Sequence, residues 1–444
     1  MAPQIKVAVI GGGPAGLGVV IELARLPFVD WHLYEKKNVI SEYSSGLTIQ
    51  RNTWRMLEHL GAAKHLRTSD IFRPANGHIT QHRDGRTGDL VLAAETKGTT
   101  TTAPHHQPCR AHRALLQQAL LKEVDQSHVR VGHKLVAIKE LPSHRIVLSF
   151  DNGWTDEVDL LIGADGLRSV REPPPVRDFA FPEHRISYTG ATAYRSLVRT
   201  SDALDINGML PEVIFWHGTD SKWVYTCPLG GDTFEITCRI VEGKDPEGDD
   251  QRYRASWGRD ASVAAFVAKY AEFCAPVQQL LQLVTSVQQY DFFAGPRLET
   301  VVARSSVALV GDASHPLSGA FGAGAGFALE DAFTLAGALA WAFGAGDPSG
   351  RDTRAKLGAA LSLYDRVRSA HYADLYRILD GYGTAEQIVA AQNLPPNGEI
   401  RARIESVWNP KNNWIYHYEV DSALAKAIRD AGDAQGRGRF EARL

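Results

Sequence analysis

Three glycines and an acid near the start of the chain have the spacing of a phosphate cradle. Gly11, Gly13 and Gly16 stand in the run Gly11-Gly12-Gly13-Pro14-Ala15-Gly16, and Glu35 follows Gly16 by nineteen residues. Gly11 permits a tight turn, Gly13 lets a pyrophosphate approach the backbone, and Gly16 lets a helix lie close on a sheet. The helix N-terminus then offers free N–H groups to phosphate oxygens, and Glu35 accepts hydrogen bonds from an adenosine ribose. This pattern points to a dinucleotide without choosing between NAD and FAD.

A second chemical stretch lies three hundred residues on. Gly311-Asp312 leads into Ala313-Ser314-His315-Pro316 and a loop in which Gly319, Gly322, Gly324 and Gly326 fall within eight residues. Backbone that free of side chains lets N–H groups approach a flat ligand closely, and the helix expected from Phe327 to about Phe343 aims its positive end at it. A third stretch, Leu160 to Gly166, ends in Asp165-Gly166, which is what a parallel sheet presents at its carboxyl edge, where ligands bind.

These residues need elements to hold them. Ile5–Ile10 and Trp31–Tyr34 read as strands flanking a helix from Leu17 to Leu26, and Val307–Val310 as the strand before Gly311. Further helices are expected over Thr53–Leu60, His112–Val124 and Ser262–Val284, further strands over Val129–Ile138 and Arg145–Phe150, and a hairpin over Ile79–Leu92 turning at Asp84-Gly85. Composition shifts at Pro173-Pro174-Pro175, after which Ser187–Ile240 reads as short alternating strands of an antiparallel sheet. From Gly350 onward the pattern is helical, with a polar tail from about Asp430.

Composition narrows the class. A 444-residue chain with 44% hydrophobic and 22% charged residues is an ordinary globular protein of two or three domains. A net charge of −3 gives no electrostatic case for nucleic acid or an anionic membrane. Cys109, Cys227, Cys238 and Cys274 lack the spacing of a zinc site, and the pair His105-His106 reads as solvent-facing in an exposed loop, so no metal is expected. No apolar run is long enough to span a bilayer, no signal peptide fits before Ile5, and a cytoplasmic location is expected.

Taken together, GGGPAG, Glu35, GLTIQRN, the arginine-bearing helix, DLLIGADG, GDASHPLSGAFGAGAGFALEDA and the C-terminal NNWIYHYEVD resemble the FAD-dependent aromatic-ring monooxygenases, particularly the salicylate hydroxylase-like group. The resemblance implies an α/β fold: a discontinuous Rossmann-like FAD-binding domain, an antiparallel β-sheet substrate domain and a helical C-terminal region. Its boundaries are placed at 1–70, 101–177 and 297–345 for the FAD-binding parts, 71–100 for a hairpin joining the substrate sheet, 178–296 for the substrate domain and 346–444 for the helices.

The same resemblance implies the site residues. The adenosine diphosphate lies on Gly11, Gly13, Pro14, Ala15, Gly16, Glu35 and Lys36, with Gly46 and Leu47 from GLTIQRN nearby. Arg113 contacts FAD, Asp165 and Gly166 serve FAD and the pyridine nucleotide, Asp312 holds the ribityl chain, and Pro316 is a further cofactor-binding residue. Gly324, Ala325 and Gly326 lie beside the flavin pyrimidine. Gly319 replaces a frequent proline and Ala323 a glutamine, and the usual nicotinamide arginine falls at Glu172, with Arg171 one position early.

The implied reaction is reduction of non-covalent FAD by NADH or NADPH, addition of O₂ to give a flavin hydroperoxide, and hydroxylation of a phenolic or aromatic-acid substrate by a monomer or homodimer. In the substrate sheet, Arg195 is expected to hold a phenolate or carboxylate, with Tyr225 and His217 exchanging a proton with the same hydroxyl. A flavin halogenase is the nearer rival, since Trp223 to Pro228 is similar to that group's WxWxIP stretch apart from Tyr225. A non-redox binding protein on the same scaffold is the other.

Overall fold

In the computed structural model, residues 5–41, 45–77, 79–94, 102–167, 176–243, 258–317, 320–344, 353–408 and 410–435 are described. The triple proline, Arg171, Glu172 and Gly319 fall outside them. The fold is mixed α/β, with parallel and antiparallel sheets and a helical C-terminal region.

Ile5–Ile10 lies inside a six-stranded sheet, parallel to Leu160–Gly163 on one side and to Val29–Glu35 on the other. Val307–Leu309 and Val129–Val131 continue it in parallel, and Val302–Ala303 closes one edge antiparallel. A strand covered on both faces has no polar side to show. Ile5, Val7 and Val9 pack with the helices Pro14–Leu23 and Gly324–Gly344. Ala8 and Ile10 pack against a small sheet of Leu135–Glu140, Ile146–Phe150 and Thr155–Val158.

The first helix begins at Pro14, three residues before the expected Leu17, because proline has its φ preset for a first turn and lacks an N–H that would go unpaired there. Other boundaries move for equally local reasons. Val129–Ile138 is two strands in two sheets, separated at Gly132 with φ +67°. Cys109–His112 is a strand, not the start of the following helix, and pairs with Gly46–Ile49 and Ile71–Phe72. The helical reading of Ser262–Val284 breaks into Val263–Ala268 and Ala275–Gln282, with Pro276 opening the second.

The second large sheet has eight strands in the order Arg259–Ala261, Val287–Ala294, Ser187–Val198, Thr233–Val241, Trp223–Gly230, Val213–His217, Thr80–Asp84 and Leu90–Ala94. Its pairs are antiparallel except Val213–His217 with Thr80–Asp84. Alternation along each strand divides its faces. Tyr194, Trp216, Val224, Phe234, Ile236 and Cys238 form a core with Phe266, Leu280 and Leu281 of the two short helices and Tyr270 between them.

The C-terminal region carries Thr353–Ala391, a 39-residue helix, followed by Pro396–Val407 and Val420–Gln435. The long helix packs on Gly324–Gly344 with its first half and reaches the eight-stranded sheet with its second, where Glu386 accepts from Ser221 at 2.6 Å. Among the described residues no helix is long and apolar enough to cross a membrane. All four cysteines are free.

Candidate functional site

The expected cofactor residues converge on the carboxyl edge of the parallel sheet. A side chain at Gly11 would run into the carbonyl of Ala164, and one at Gly16 into the carbonyl of Gly11, so both glycines serve the turn itself. Gly13, capping the Pro14–Leu23 helix, and Gly166 have nothing within 4 Å of where a side chain would start. At Gly324 the nearest atom is Oδ1 of Asp312, 3.9 Å away. Packed glycines thus build the turn and open ones border a space, which fits a phosphate lying against backbone N–H groups.

The acids around that space differ in commitment. Glu35 already accepts from the backbone N–H of Gly12 at 2.8 Å and of Lys37 at 3.0 Å, which orders the glycine turn while leaving lone pairs for a ribose. Lys36 beside it is exposed. Asp165 accepts from the N–H of Val176 at 3.1 Å. Asp312 sits in the turn Gly311–Ala313 with an exposed side chain that makes no hydrogen bond among the described residues, so it is not a turn cap. Gly326 has a different use, since Thr53 fills the place of its missing side chain and lets the Arg51–His59 helix pack there. The helix itself starts at Gly324, earlier than the expected Phe327.

Behind this edge lies a buried ionic network that the sequence reading passed over, with Arg368 Nη1 and Glu330 Oε2 still unpartnered. Asp331 accepts from the N–H of Gly311 at 2.8 Å, His315 Nε2 at 2.8 Å and Arg368 Nε at 2.7 Å, and Tyr372 reaches the same carboxylate. Neighbouring Glu330 accepts from Asn52 at 2.8 Å and lies 3.1 Å from Arg368. Tyr364 donates to the carbonyl of Leu309 at 2.7 Å. The side chains of Asp331, Glu330, Arg368 and His315 are all at most 1% exposed. Burial pushes Asp331 up, but Arg368 and His315 outweigh it and hold its carboxyl at about 2. Burial wins at Glu330, which rises to about 7 despite Arg368. The turn carrying Asp312 and Pro316 is therefore fastened at both ends to one carboxylate. Two acids inside the apolar helix run GFALEDAFTL were the available signal.

The other face of the eight-stranded sheet is capped at one end by Trp408, which lies against His82, Phe215 and His217. Arg195 pairs with Thr237, Thr237 with Tyr225, Tyr225 with Phe215 and Phe215 with His82, one row of side chains on the face opposite the helix-covered core. In the next row Glu235 accepts from Gly46 N–H at 3.1 Å and pairs with the buried Arg110, whose guanidinium lies 5.2 Å from the centre of the Tyr225 ring. Gly46 cannot carry a side chain without striking that ion pair, while Leu47 packs toward the parallel-sheet core. Burial raises Glu235, yet Arg110 and Arg195 hold it below the usual carboxylate range.

Arg195 is different from Arg110. Both leave Nε without a hydrogen-bond partner, but Arg195 is half-buried and makes no ion pair among the described residues, whereas Arg110 pairs with Glu235. Arg195 lies over Tyr290 at 5.1 Å. Burial lowers its pKa, Glu235 offsets this in part, and Arg113 and Arg110 press it down further. The arginine expected at FAD and the arginine expected at substrate therefore feel each other. Burial raises Tyr225 well above the usual phenol range, which keeps its hydroxyl protonated.

His217 is corrected. Its ring is 2% exposed, Nε2 lies 3.0 Å from Nδ1 of His82, and Trp408 packs tilted against the His82 ring and edge-on against that of His217. Burial first, then His82 and Arg403, lower its pKa well below 6.5, so it is neutral and not poised to exchange a proton near pH 7. Of the surface pair, His105 is exposed as read and His106 is only partly so, and both Nε2 atoms reach Glu58, His106 at 2.7 Å and His105 at 3.3 Å. Arg177 was missed as well; it is 1% exposed, feels Asp165, Asp178 and Asp312, and has Nε and Nη1 unpartnered.

A family model described as an FAD binding domain matches residues 4–356. The chain is 28% identical over 422 residues to 3-amino-4-hydroxybenzoate 2-monooxygenase PtmB3 of Streptomyces platensis, covering 94% of this chain and 96% of that protein. It is 24% identical to salicylate hydroxylase of Pseudomonas putida over 457 residues, 98% and 97% of the two chains. Among solved structures, a salicylate hydroxylase substrate complex superposes with a TM-score of 0.73 at 24% identity, covering 96% of this chain and 98% of the other.

Proposed function

The chain belongs to the FAD binding domain family, and from that premise we infer that it is an FAD-dependent aromatic monooxygenase, using NADH or NADPH and O₂ to hydroxylate an electron-rich ring. Bound FAD supplies the electron transfer and the oxygen activation. The chain's own residues supply placement. Gly13, Gly166 and the first turn at Gly324 border the cofactor space, with Glu35 toward the ribose and Asp312 toward the ribityl chain.

The single observation that carries the substrate reading is Arg195, a half-buried cation that makes no ion pair among the described residues, on a face that also carries Tyr225, Phe215 and Trp223 and, bonded to Arg110, Glu235. A ring bearing a carboxylate or phenolate would satisfy it through a charge-assisted hydrogen bond, and the aromatic wall would exclude water around it. Tyr225, kept protonated, would donate to the ring's oxygen rather than take its proton. The two relatives named for hydroxybenzoate and salicylate chemistry support a hydroxybenzoate-like substrate.

The test is a panel of phenols and hydroxybenzoates added to the FAD-loaded protein, reading NADH and NADPH oxidation together with product mass. Stimulated oxidation with gain of one oxygen atom is expected for an aromatic acid. A protein that takes up no FAD, or that no ring compound stimulates, ends this reading.

A further inference from the structure

The turn Pro104–His106 lies against Glu58, an exposed residue near the end of the Arg51–His59 helix. Both histidines of that turn aim Nε2 at the one carboxylate, His106 at Oε2 and His105 at Oε1. One ligand atom from each of the three side chains lies within 4.8 Å of the other two, and no other such group of histidines, cysteines or acids occurs among the described residues.

Other acids meet a histidine in a different setting. Glu22, Glu123 and Glu140 each contact one histidine, but each also holds a cation, Arg25, Lys64 and Arg304 in turn, which would repel a metal ion. Glu58 meets two histidines and, among the described residues, pairs with no lysine or arginine. The turn does not need the imidazoles to keep its shape. Arg73 donates to the carbonyls of His105 at 3.0 Å and Gln107 at 3.4 Å, and its guanidinium lies 5.3 Å from the ring of Trp54 on the Glu58 helix. The N–H of His106 donates to the carbonyl of Ala103 at 2.8 Å.

The spacing also suits an ion. A tetrahedral zinc with bonds of about 2.0–2.1 Å holds its ligand atoms about 3.3 Å apart. His105 and Glu58 already stand at 3.3 Å, and the 2.7 Å contact of His106 opens to that value with a small rotation of the side chain. Two imidazoles and a carboxylate suit zinc and neighbouring transition metals, whereas magnesium and calcium take sets of oxygen ligands.

We propose that Glu58, His105 and His106 form a binding site for a divalent transition-metal ion such as zinc, one that the monooxygenase reading does not use. Three protein ligands leave the fourth position to water. The bound ion cross-links the turn to the helix whose Asn52 and Thr53 pack at Glu330 and Gly326.

The experiment is calorimetric titration of the FAD-loaded full chain with zinc chloride. Wild type is expected to bind one zinc ion, and His106→Ala and Glu58→Gln are each expected to weaken it about tenfold or more, since even groups that only orient a ligand are worth that much. Flavin absorbance should be the same in all three proteins. Glu58 is exposed, so Glu58→Gln decides the matter if His106→Ala folds poorly. Failure of wild type to bind zinc at millimolar concentration overturns the proposal. So does zinc affinity equal to wild type in either folded variant, or displacement of the zinc by an equal concentration of magnesium.

Discussion

The molecule holds two clusters of buried charge on either side of its proposed reaction space, and they are built to opposite rules. Behind the cofactor edge, Asp331 and Glu330 face Arg368 and His315, with Gly311 N–H, Asn52 and Tyr372 taking up further bonds. Each of those groups has a partner of opposite sign or a hydrogen bond, though Arg368 Nη1 and Glu330 Oε2 stay unpartnered; on the sheet Arg110 and Glu235 pair, but Arg195 makes no ion pair among the described residues. A closed set of charges resists displacement and positions what it is bonded to; an open one keeps a binding free energy that a ligand of opposite charge can collect. The difference separates residues that hold the site from a residue that takes the substrate.

Deleting the hub of the closed cluster tests that contrast most severely. Asp331→Ala leaves Arg368 and His315 buried without their carboxylate and is expected to destabilise the protein by about 3–5 kcal/mol, read from urea unfolding. A loss near zero would mean that the cluster is not closed at all.

Glu330 sharpens the contrast through pH. Its carboxyl titrates near 4.5 in an unfolded chain and at about 7 in the fold, so between these values the folded state binds the extra proton. Its contribution to stability therefore falls as pH rises from 4.5 to 7, by on the order of 3 kcal/mol. Asp331, held at about 2, acts oppositely and only below pH 4, where its stabilisation is lost as pH falls. Glu330→Gln should gain on wild type steadily between pH 5 and pH 7. A stability difference that stays constant across that range would remove Glu330 as the group responsible.

The smallest expected effect belongs to the open cluster. Arg195→Gln should fold and hold FAD as wild type does, while losing about 2 kcal/mol of substrate binding, roughly thirtyfold in KM for an aromatic acid. Unchanged KM with every accepted substrate would return Arg195 to the status of a strand residue.

What the sequence made legible follows from how far apart the partners are. The strand, glycine turn, helix, strand and acid from Ile5 to Glu35 could be read because each piece is decided by its neighbours, apart from the helix start at Pro14. Arg195 was readable as a strand residue, but which way it faces depends on where Val263–Ala268 and Ala275–Gln282 dock, some seventy residues on. Glu235 meets Arg110 across 125 residues and Arg368 meets Asp331 across 37, and no local pattern marks either pair. His217 failed for the complementary reason, since its residue type suggested titration while its burial beside His82 forbids it.

The order of strands in the parallel sheet also sets a timetable for synthesis. Ile5–Ile10 is made first, yet one of its two neighbours, Leu160–Gly163, is made about 150 residues later, and that strand in turn awaits Val307–Leu309. At ordinary translation rates the first strand waits on the order of ten seconds or more with an open hydrogen-bonding edge. Chains released before Val307–Leu309 is made still leave an edge open, that of Leu160–Gly163, and they are the species that aggregation and chaperones would compete for.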